Sequence, residues 1–232
     1  MIRAIFSDFN GVIVDDERLQ MEAYQQVLRP HGIELTEEQY FSALGMDDKT
    51  FVRAAFKRTS KNLTEDLTAM LIEEKSNCHR HLIKDELPLF PGVVTFLKAA
   101  SRHFSLGLVS MARRIEIEHI LDRARLDKLF SVIISAEDVN ACKPATDCYR
   151  FALQALNSKR RKLRLLPLLA EECLVIEDSP PGVESGRGAG MRTLGITNTV
   201  VEAELRNAGA DVVSANLADW TIEAVHLVFD EG

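Results

Sequence analysis

The sequence has no C-x-x-C pair, and its four cysteines (Cys78, Cys142, Cys148 and Cys173) have no histidine at zinc-site spacing. That pattern argues against a zinc cluster or a disulfide framework and suits thiols of a reducing compartment. No apolar run approaches the ~20 residues of a membrane span, and the first residues lack a charged-then-apolar leader pattern. A cytoplasmic location without membrane contact is therefore expected. Positive charge is in deficit: 28 Lys and Arg stand against 35 Asp and Glu, giving a net charge of −7 and a pI of about 5.5. Such a balance disfavours a broad nucleic-acid surface, although local donors can still hold a phosphate. Internal repeats and low-complexity stretches are absent too.

What is present is an ordinary globular composition, 46% hydrophobic and 27% charged, over 232 residues. That length suits one large domain or two unequal ones, and it buries roughly 70% of the unfolded chain's surface without a covalent staple. A monomer or weak homo-oligomer is expected. The chain is organised around Arg3-Ala4-Ile5-Phe6-Ser7-Asp8-Phe9-Asn10-Gly11-Val12. Its apolar start reads as a strand buried on both faces of a parallel sheet. Asp8 then falls just past the strand's carboxyl end, where open α/β sheets carry their chemistry. Gly11 allows a sharp turn there.

Residues 16–88 read as helices throughout. The cluster Asp15-Asp16-Glu17 suits a helix start, and Leu19, Ala23, Val27 and Leu28 can share its apolar face. Pro30-His31-Gly32 ends that helix, Thr36-Glu37-Glu38-Gln39 is a capping box, and helical periodicity returns from 64 to about 85. Pro88-Leu89-Phe90-Pro91-Gly92 reads as a linker. Beyond it strands at 106–109, 132–134, 174–176, 193–196 and 211–213 alternate with helices. This rhythm predicts an α/β fold: a doubly wound, Rossmann-like parallel sheet from residues 1–15 and 89–232, with an α-helical cap inserted at 16–88. The run Lys159-Arg160-Arg161-Lys162-Leu163-Arg164 reads as a solvated surface loop.

Each strand of this region hands a polar group to one rim. Asp8 follows the first; Ser110, then Met111-Ala112-Arg113, follows the next; Lys143-Pro144 comes after 132–134; Glu177-Asp178-Ser179 ends 174–176. Taken singly, each fits a helix cap or a solvated charge. Four in order, each past an apolar strand, point to one site. Carboxylates from two strands can hold Mg²⁺, which favours oxygen ligands and keeps several waters. A lysine and a hydroxyl beside them suit a phosphoryl group.

In these segments the chain resembles the haloacid dehalogenase-like superfamily, in particular its phosphatase and β-phosphoglucomutase branch with a helical cap. Asp8-Phe9-Asn10-Gly11-Val12 is similar to the first motif, D-x-D-G-[TV]; Ser110, Lys143-Pro144 and Glu177-Asp178-Ser179 with Gly182 resemble the other three. The resemblance implies a small phosphorylated metabolite as substrate, such as a sugar phosphate or phosphoglycolate. It implies Asp8 as a nucleophile that takes the phosphoryl group as aspartyl phosphate. Mg²⁺ would be held by Asp8, the backbone carbonyl of Asn10, and Asp178, with Glu177 on the ion or just behind it. Ser110, Lys143, Met111 and Arg113 would contact the phosphoryl group or substrate, and Lys143 would also neutralise Asp8.

Two departures shape the functional expectation. Where the phosphatases carry a second aspartate as general acid and base, this chain has Asn10, whose amide cannot exchange a proton on a catalytic cycle. General acid–base help is worth typically about 10²–10⁴-fold, so turnover on poor leaving groups should be depressed. Asn10 is then an engineered trap, a natural variant with another donor (Asp15 or Asp16), or the mark of a weak or non-hydrolytic protein. The mutase carries a histidine where this chain has Gln20, and an arginine in the cap loop, here Gly45-Met46-Asp47-Asp48-Lys49, whose single cation is Lys49. Gln20 and Lys49 complete the candidate substrate contacts. A phosphatase therefore ranks above a phosphosugar mutase, with a non-catalytic phospho-metabolite-binding protein as the alternative outside enzymes.

Overall fold

Strand β1 (Ala4–Ser7) is buried at every position, because parallel neighbours flank it: β2 (Ser105–Val109) on one side and β4 (Cys173–Glu177) on the other. The computed structural model describes residues 1–230. In it β3 (Phe130–Ile134), β5 (Arg192–Ile196) and β6 (Val212–Ser214) extend the sheet to six strands in the order β3-β2-β1-β4-β5-β6, every pairing parallel. The α/β doubly wound architecture expected from the alternating pattern is the one observed. Side chains alternate between two apolar layers: Ile5, Leu106, Leu108 and Ile176 face one, and Phe6, Val109, Val132 and Val175 the other. Burying each such side chain stabilises the fold by roughly 1.5–3 kcal/mol, so β1 cannot shift without disturbing both layers.

The layers are covered by helices of the core: α5 (Val93–Ala100), α6 (Arg114–Ala124), α7 (Asp147–Lys162), α8 (Pro180–Gly188), α9 (Glu202–Asn207) and α10 (Ile222–Asp230). Between β1 and α5 lie the four helices numbered first in the chain, α1 (Glu17–Leu28), α2 (Glu37–Phe41), α3 (Asp48–Arg58) and α4 (Glu65–Leu82). They share an apolar cluster of their own, with Tyr24, Leu28, Phe51, Phe56 and Leu71 at its centre. Their starts are fixed locally. Thr36 forms the expected capping box with Gln39, Asp47 accepts from the Thr50 backbone N–H at 2.7 Å, and Thr64 from that of Leu67 at 3.2 Å. The two chain passages into this helical unit meet at an antiparallel bridge between Val14 and Leu89.

The basic run is not the surface loop read from its charge. Lys159 to Lys162 form the last turn of α7, Arg160 is buried with its Nε donating to the Leu166 carbonyl at 2.9 Å, and Lys159 Nζ reaches the Ser131 carbonyl at 2.6 Å. Lys and Arg are good helix formers, and their charge complements the negative end of the helix dipole.

Candidate active site

The parallel sheet brings four strand ends to one edge, and the residues just past β1, β2, β3 and β4 converge there. Lys143 sits at their centre, almost wholly buried. Its Nζ donates to Asp8 Oδ1 at 2.9 Å, to Glu177 Oε1 at 2.6 Å and to the Val109 carbonyl at 3.2 Å. Glu177 is fully buried; its Oε1 also accepts from Tyr149 OH at 2.7 Å, and its Oε2 from the Ser179 hydroxyl at 3.3 Å. Asp8, Glu177 and Asp178 each place a carboxylate oxygen within 4.8 Å of the others. Ser110 Oγ accepts from the Ala112 backbone N–H at 3.0 Å, which fixes the turn after β2.

Two glycines make the close approach possible. A Cβ on Gly11, whose φ is +76°, would lie 1.8 Å from Asp178 Oδ2, and one on Gly182 would lie 2.0 Å from the Glu177 carboxylate. Any side chain at 182 would drive Glu177 off Lys143.

The electrostatics follow from burial of three carboxylates around one ammonium. Burial and the Glu177 charge push the Asp8 carboxyl up to about 7, against the pull of Lys143. Burial, Asp8 and Glu177 drive Asp178 well above the carboxylate range. Burial opposes the charge on Lys143, yet Asp8 and Glu177 outweigh it and hold the lysine above its ordinary value. Three carboxyl groups thus crowd one ammonium, and Asp8 and Asp178 are driven to hold protons that a divalent cation would displace. Hard oxygen donors so arranged fit a cation of the Mg²⁺ type.

Asn10 lies beside Asp8 but turns toward the helical unit. Its Nδ2 donates to both carboxylate oxygens of Asp16, at 2.9 and 3.1 Å. Asp16 is fully buried; Gln20 Nε2 donates to it at 3.0 Å, and His79 Nε2 lies 2.8 Å away but off the line of a hydrogen bond. Of the two alternative proton donors considered from sequence, Asp15 is exposed and Asp16 is enclosed by these partners.

A cavity of about 100 Å³ opens above the site. Asp8, Asn10, Ser110, Met111, Lys143 and Asp178 line it from the sheet edge, and Gln20 from the helical unit. Arg113 and Lys49 are not part of that lining. Arg113 reaches across to Glu73 at 2.9 Å and to the Ser76 hydroxyl at 2.8 Å, and Lys49 is exposed and paired with Glu65 at 3.1 Å. Sequence reading missed several groups. Tyr149 lies under Lys143, its ring centroid 5.3 Å from Nζ, and Thr199 hydrogen-bonds Asp178. Above the cavity, Lys75 is buried between Asp48 and Glu116, at 3.1 and 3.2 Å. Glu17 lines the cavity too, accepting from Tyr40 OH at 2.6 Å. A lysine and two acids on helices, 27 and 41 residues apart, leave no local signal.

The family model for haloacid dehalogenase-like hydrolases matches residues 4–196. The chain belongs to that family. Among curated relatives, a phosphorylated carbohydrates phosphatase from Thermotoga maritima is 28% identical over 213 residues, covering 90% of this chain and 92% of the relative. A validoxylamine A 7'-phosphate phosphatase from Streptomyces hygroscopicus subsp. limoneus is 25% identical over 228 residues, covering 94% and 96%. A β-phosphoglucomutase from Clostridium difficile superposes with a TM-score of 0.85 at 21% identity, over 100% of this chain and 98% of the other, and so speaks to the fold alone. Family and fold agree with the resemblance drawn from the four motifs. Among the described residues, no helix is long and apolar enough to cross a membrane.

Proposed function

We propose that this haloacid dehalogenase-like hydrolase is a Mg²⁺-dependent phosphatase of a small phosphorylated metabolite, acting through an aspartyl phosphate on Asp8. One observation carries the reading: a buried lysine holds the Asp8 carboxylate at the open edge of the sheet, within a three-carboxylate set and under a cavity. Asp8, the Asn10 carbonyl and Asp178, with Glu177 beside them, are the residues that would hold the ion. When bound, the ion supplies positive charge against the phosphoryl oxygens.

The chain's own groups supply the rest. Lys143 neutralises Asp8, so the carboxylate can approach a phosphate dianion. An Asp8 oxygen forms the bond to phosphorus as the bond to the ester oxygen breaks, and the ester oxygen departs as an alkoxide that takes its proton from water. Ser110 and the backbone N–H groups of the turn after β2 hold the phosphoryl oxygens. Water then cleaves the acyl phosphate and restores Asp8. The helical unit at 16–88 acts as a cap that hinges near Val14 and Leu89 and excludes bulk water during transfer. Asn10 contributes position only: its amide is committed to Asp16 and returns no proton. Good leaving groups therefore transfer readily, and poor ones slowly.

That commitment of Asn10 also favours a second reading, a protein that binds the phosphorylated metabolite and holds it with little turnover. The mutase reading gains nothing from the cap, where Gln20 is tied to Asp16. The deciding experiment is intact-mass analysis after incubation with Mg²⁺ and a panel of phosphate esters. A phosphoryl adduct that maps to Asp8 and is lost in Asp8→Asn supports the enzyme. No adduct and no turnover, in this chain and in Asn10→Asp alike, with a ligand still raising Tm, would establish the binder.

A further inference from the structure

The cap side of the cavity holds hydrogen-bond capacity that no protein group uses. Gln20 is buried, and its Nε2 donates to Asp16, whose carboxylate can only accept. That fixes the amide's orientation, and it leaves Gln20 Oε1 buried without a partner. Asp48 is more than nine-tenths buried; its Oδ1 accepts from Tyr24 OH and from Lys75 Nζ, while Oδ2 is buried without a partner. Both side chains line the cavity. Buried acceptors are almost always satisfied in native proteins, and one left empty calls for an explanation. The two side chains that carry these empty acceptors line one cavity, so a small shift of either turns its acceptor to a donor on whatever fills it.

Charge on the same wall is equally one-sided. Lys75 is the single cation there, and its ammonium is engaged by Asp48 Oδ1 and by both oxygens of Glu116, at 3.2 and 3.3 Å. Ser76 Oγ and Lys75 share Glu116, and Arg113 is turned to Glu73 and Ser76. Glu17, Asp48 and Glu116 thus face the cavity against one lysine that has no donor left for a new anion.

We propose that Gln20 and Asp48 are specificity-determining residues, selecting a phosphate monoester whose alcohol half offers hydroxyl donors and carries no second phosphate. This rests on the phosphoryl-transfer reading above and adds what the cap requires of the leaving group. A hydroxylated chain or ring satisfies both acceptors. An alkyl chain leaves them empty, at a cost of roughly tenfold or more for each. A distal phosphate would meet three carboxylates and no free cation.

The test compares kcat/KM, with Mg²⁺, for sugar monophosphates of three to seven carbons, the matching sugar bisphosphates, and n-alkyl phosphates of equal length. The best sugar monophosphate should exceed its alkyl counterpart by about a hundredfold, from two acceptors at about tenfold each. It should also exceed its bisphosphate counterpart, because like charges set together in the cavity are disfavoured. In Gln20→Met the preference for sugar over alkyl should fall about tenfold, and in Asp48→Asn the bias against the bisphosphate should fall similarly, both carried by KM. Sugar and alkyl esters turned over equally, or a bisphosphate preferred, would overturn the inference. Acetyl phosphate separates this from the parent reading, because its leaving group needs neither the cap contacts nor a proton. An Asp8 adduct from acetyl phosphate with flat ester selectivity leaves phosphoryl transfer standing and removes the specificity claim. No adduct and no turnover of any ester removes both.

Discussion

Asn10→Asp is the most informative single exchange in this chain. Asn10 Nδ2 lies 2.9 and 3.1 Å from the two oxygens of Asp16, so a carboxylate in its place would set like charges about 3 Å apart in a buried site. At an effective dielectric of about 20, unit charges at that distance repel by roughly 5 kcal/mol. Raising a carboxyl group from about 4 to about 7 requires only about 4 kcal/mol. The pair should therefore keep one proton near neutral pH, as a shared hydrogen bond in place of the amide's. A retained proton beside Asp8 is what a departing alkoxide needs, and it is worth typically about 10²–10⁴-fold. We expect kcat on sugar monophosphates to rise by that factor, with little change for acetyl phosphate. A proton bound more tightly in the folded state gives stability that is present at low pH and lost as pH rises through the folded pKa. Urea unfolding should accordingly show a penalty that grows toward alkaline pH. An intact fold with unchanged kcat on every ester would refute the reasoning, because proton supply at position 10 would then not limit turnover. A penalty equal at all pH values would refute the placement against Asp16.

Three further outcomes follow from the same geometry. Lys143→Met leaves Asp8 and Glu177 buried without their counter-charge, and should cost about 3–5 kcal/mol in urea unfolding, partly restored by Mg²⁺; no loss would show that the carboxylates are not held as charges. Gly182→Ala places a methyl 2.0 Å from the Glu177 carboxylate, so it should abolish the Asp8 adduct and weaken Mg²⁺ binding measured by calorimetry, while wild-type binding would place Glu177 outside the site. Burial and the Asp16 charge push Glu17 up from 4.5 to about 7, so the folded chain holds its proton more tightly than the unfolded one. Its contribution is full below about 4.5 and is lost as pH rises to about 7; Glu17→Gln should flatten that decline and gain up to about 3 kcal/mol at alkaline pH, and a pH–stability curve unchanged from wild type would contradict it.

The residues legible from sequence are those with a local signature. Asp8, Ser110 and Asp178 each follow an apolar run within a residue or two, and the parallel sheet turns that sequence position into a spatial one. Lys143 stands nine residues beyond β3, where its order among the other three carried the reading. The other groups around the cavity have no such signature. Asp48 falls in the stretch 45–49 that breaks the helical pattern, and Lys75, Glu116 and Tyr149 fall within helices, where nothing local relates them; only tertiary packing joins them. The basic run shows the opposite case: its charge pattern reads as a loop, while the helix propensity of Lys and Arg carries α7 through it. Arg160 fits inside because its guanidinium finds a carbonyl there.

The same packing changes what Asn10 means. Taken alone, an amide at this position looks like a lost acid. In the folded chain its partner is Asp16, a carboxylate sealed at 0% exposure whose oxygens require donors. Asn10 and Gln20 supply them, so the amide joins the turn after β1 to the first cap helix. An aspartate at position 10 could do so only by holding a proton, and a small neutral residue at 16 would leave Gln20 Nε2 without its acceptor. Positions 10, 16 and 20 therefore behave as one unit, and that unit sets the orientation of the Gln20 carbonyl in the cavity. Under the proposed phosphoryl transfer, the strand ends and the cap would be coupled through a single buried carboxylate, so an exchange at position 10 should change substrate preference as well as rate.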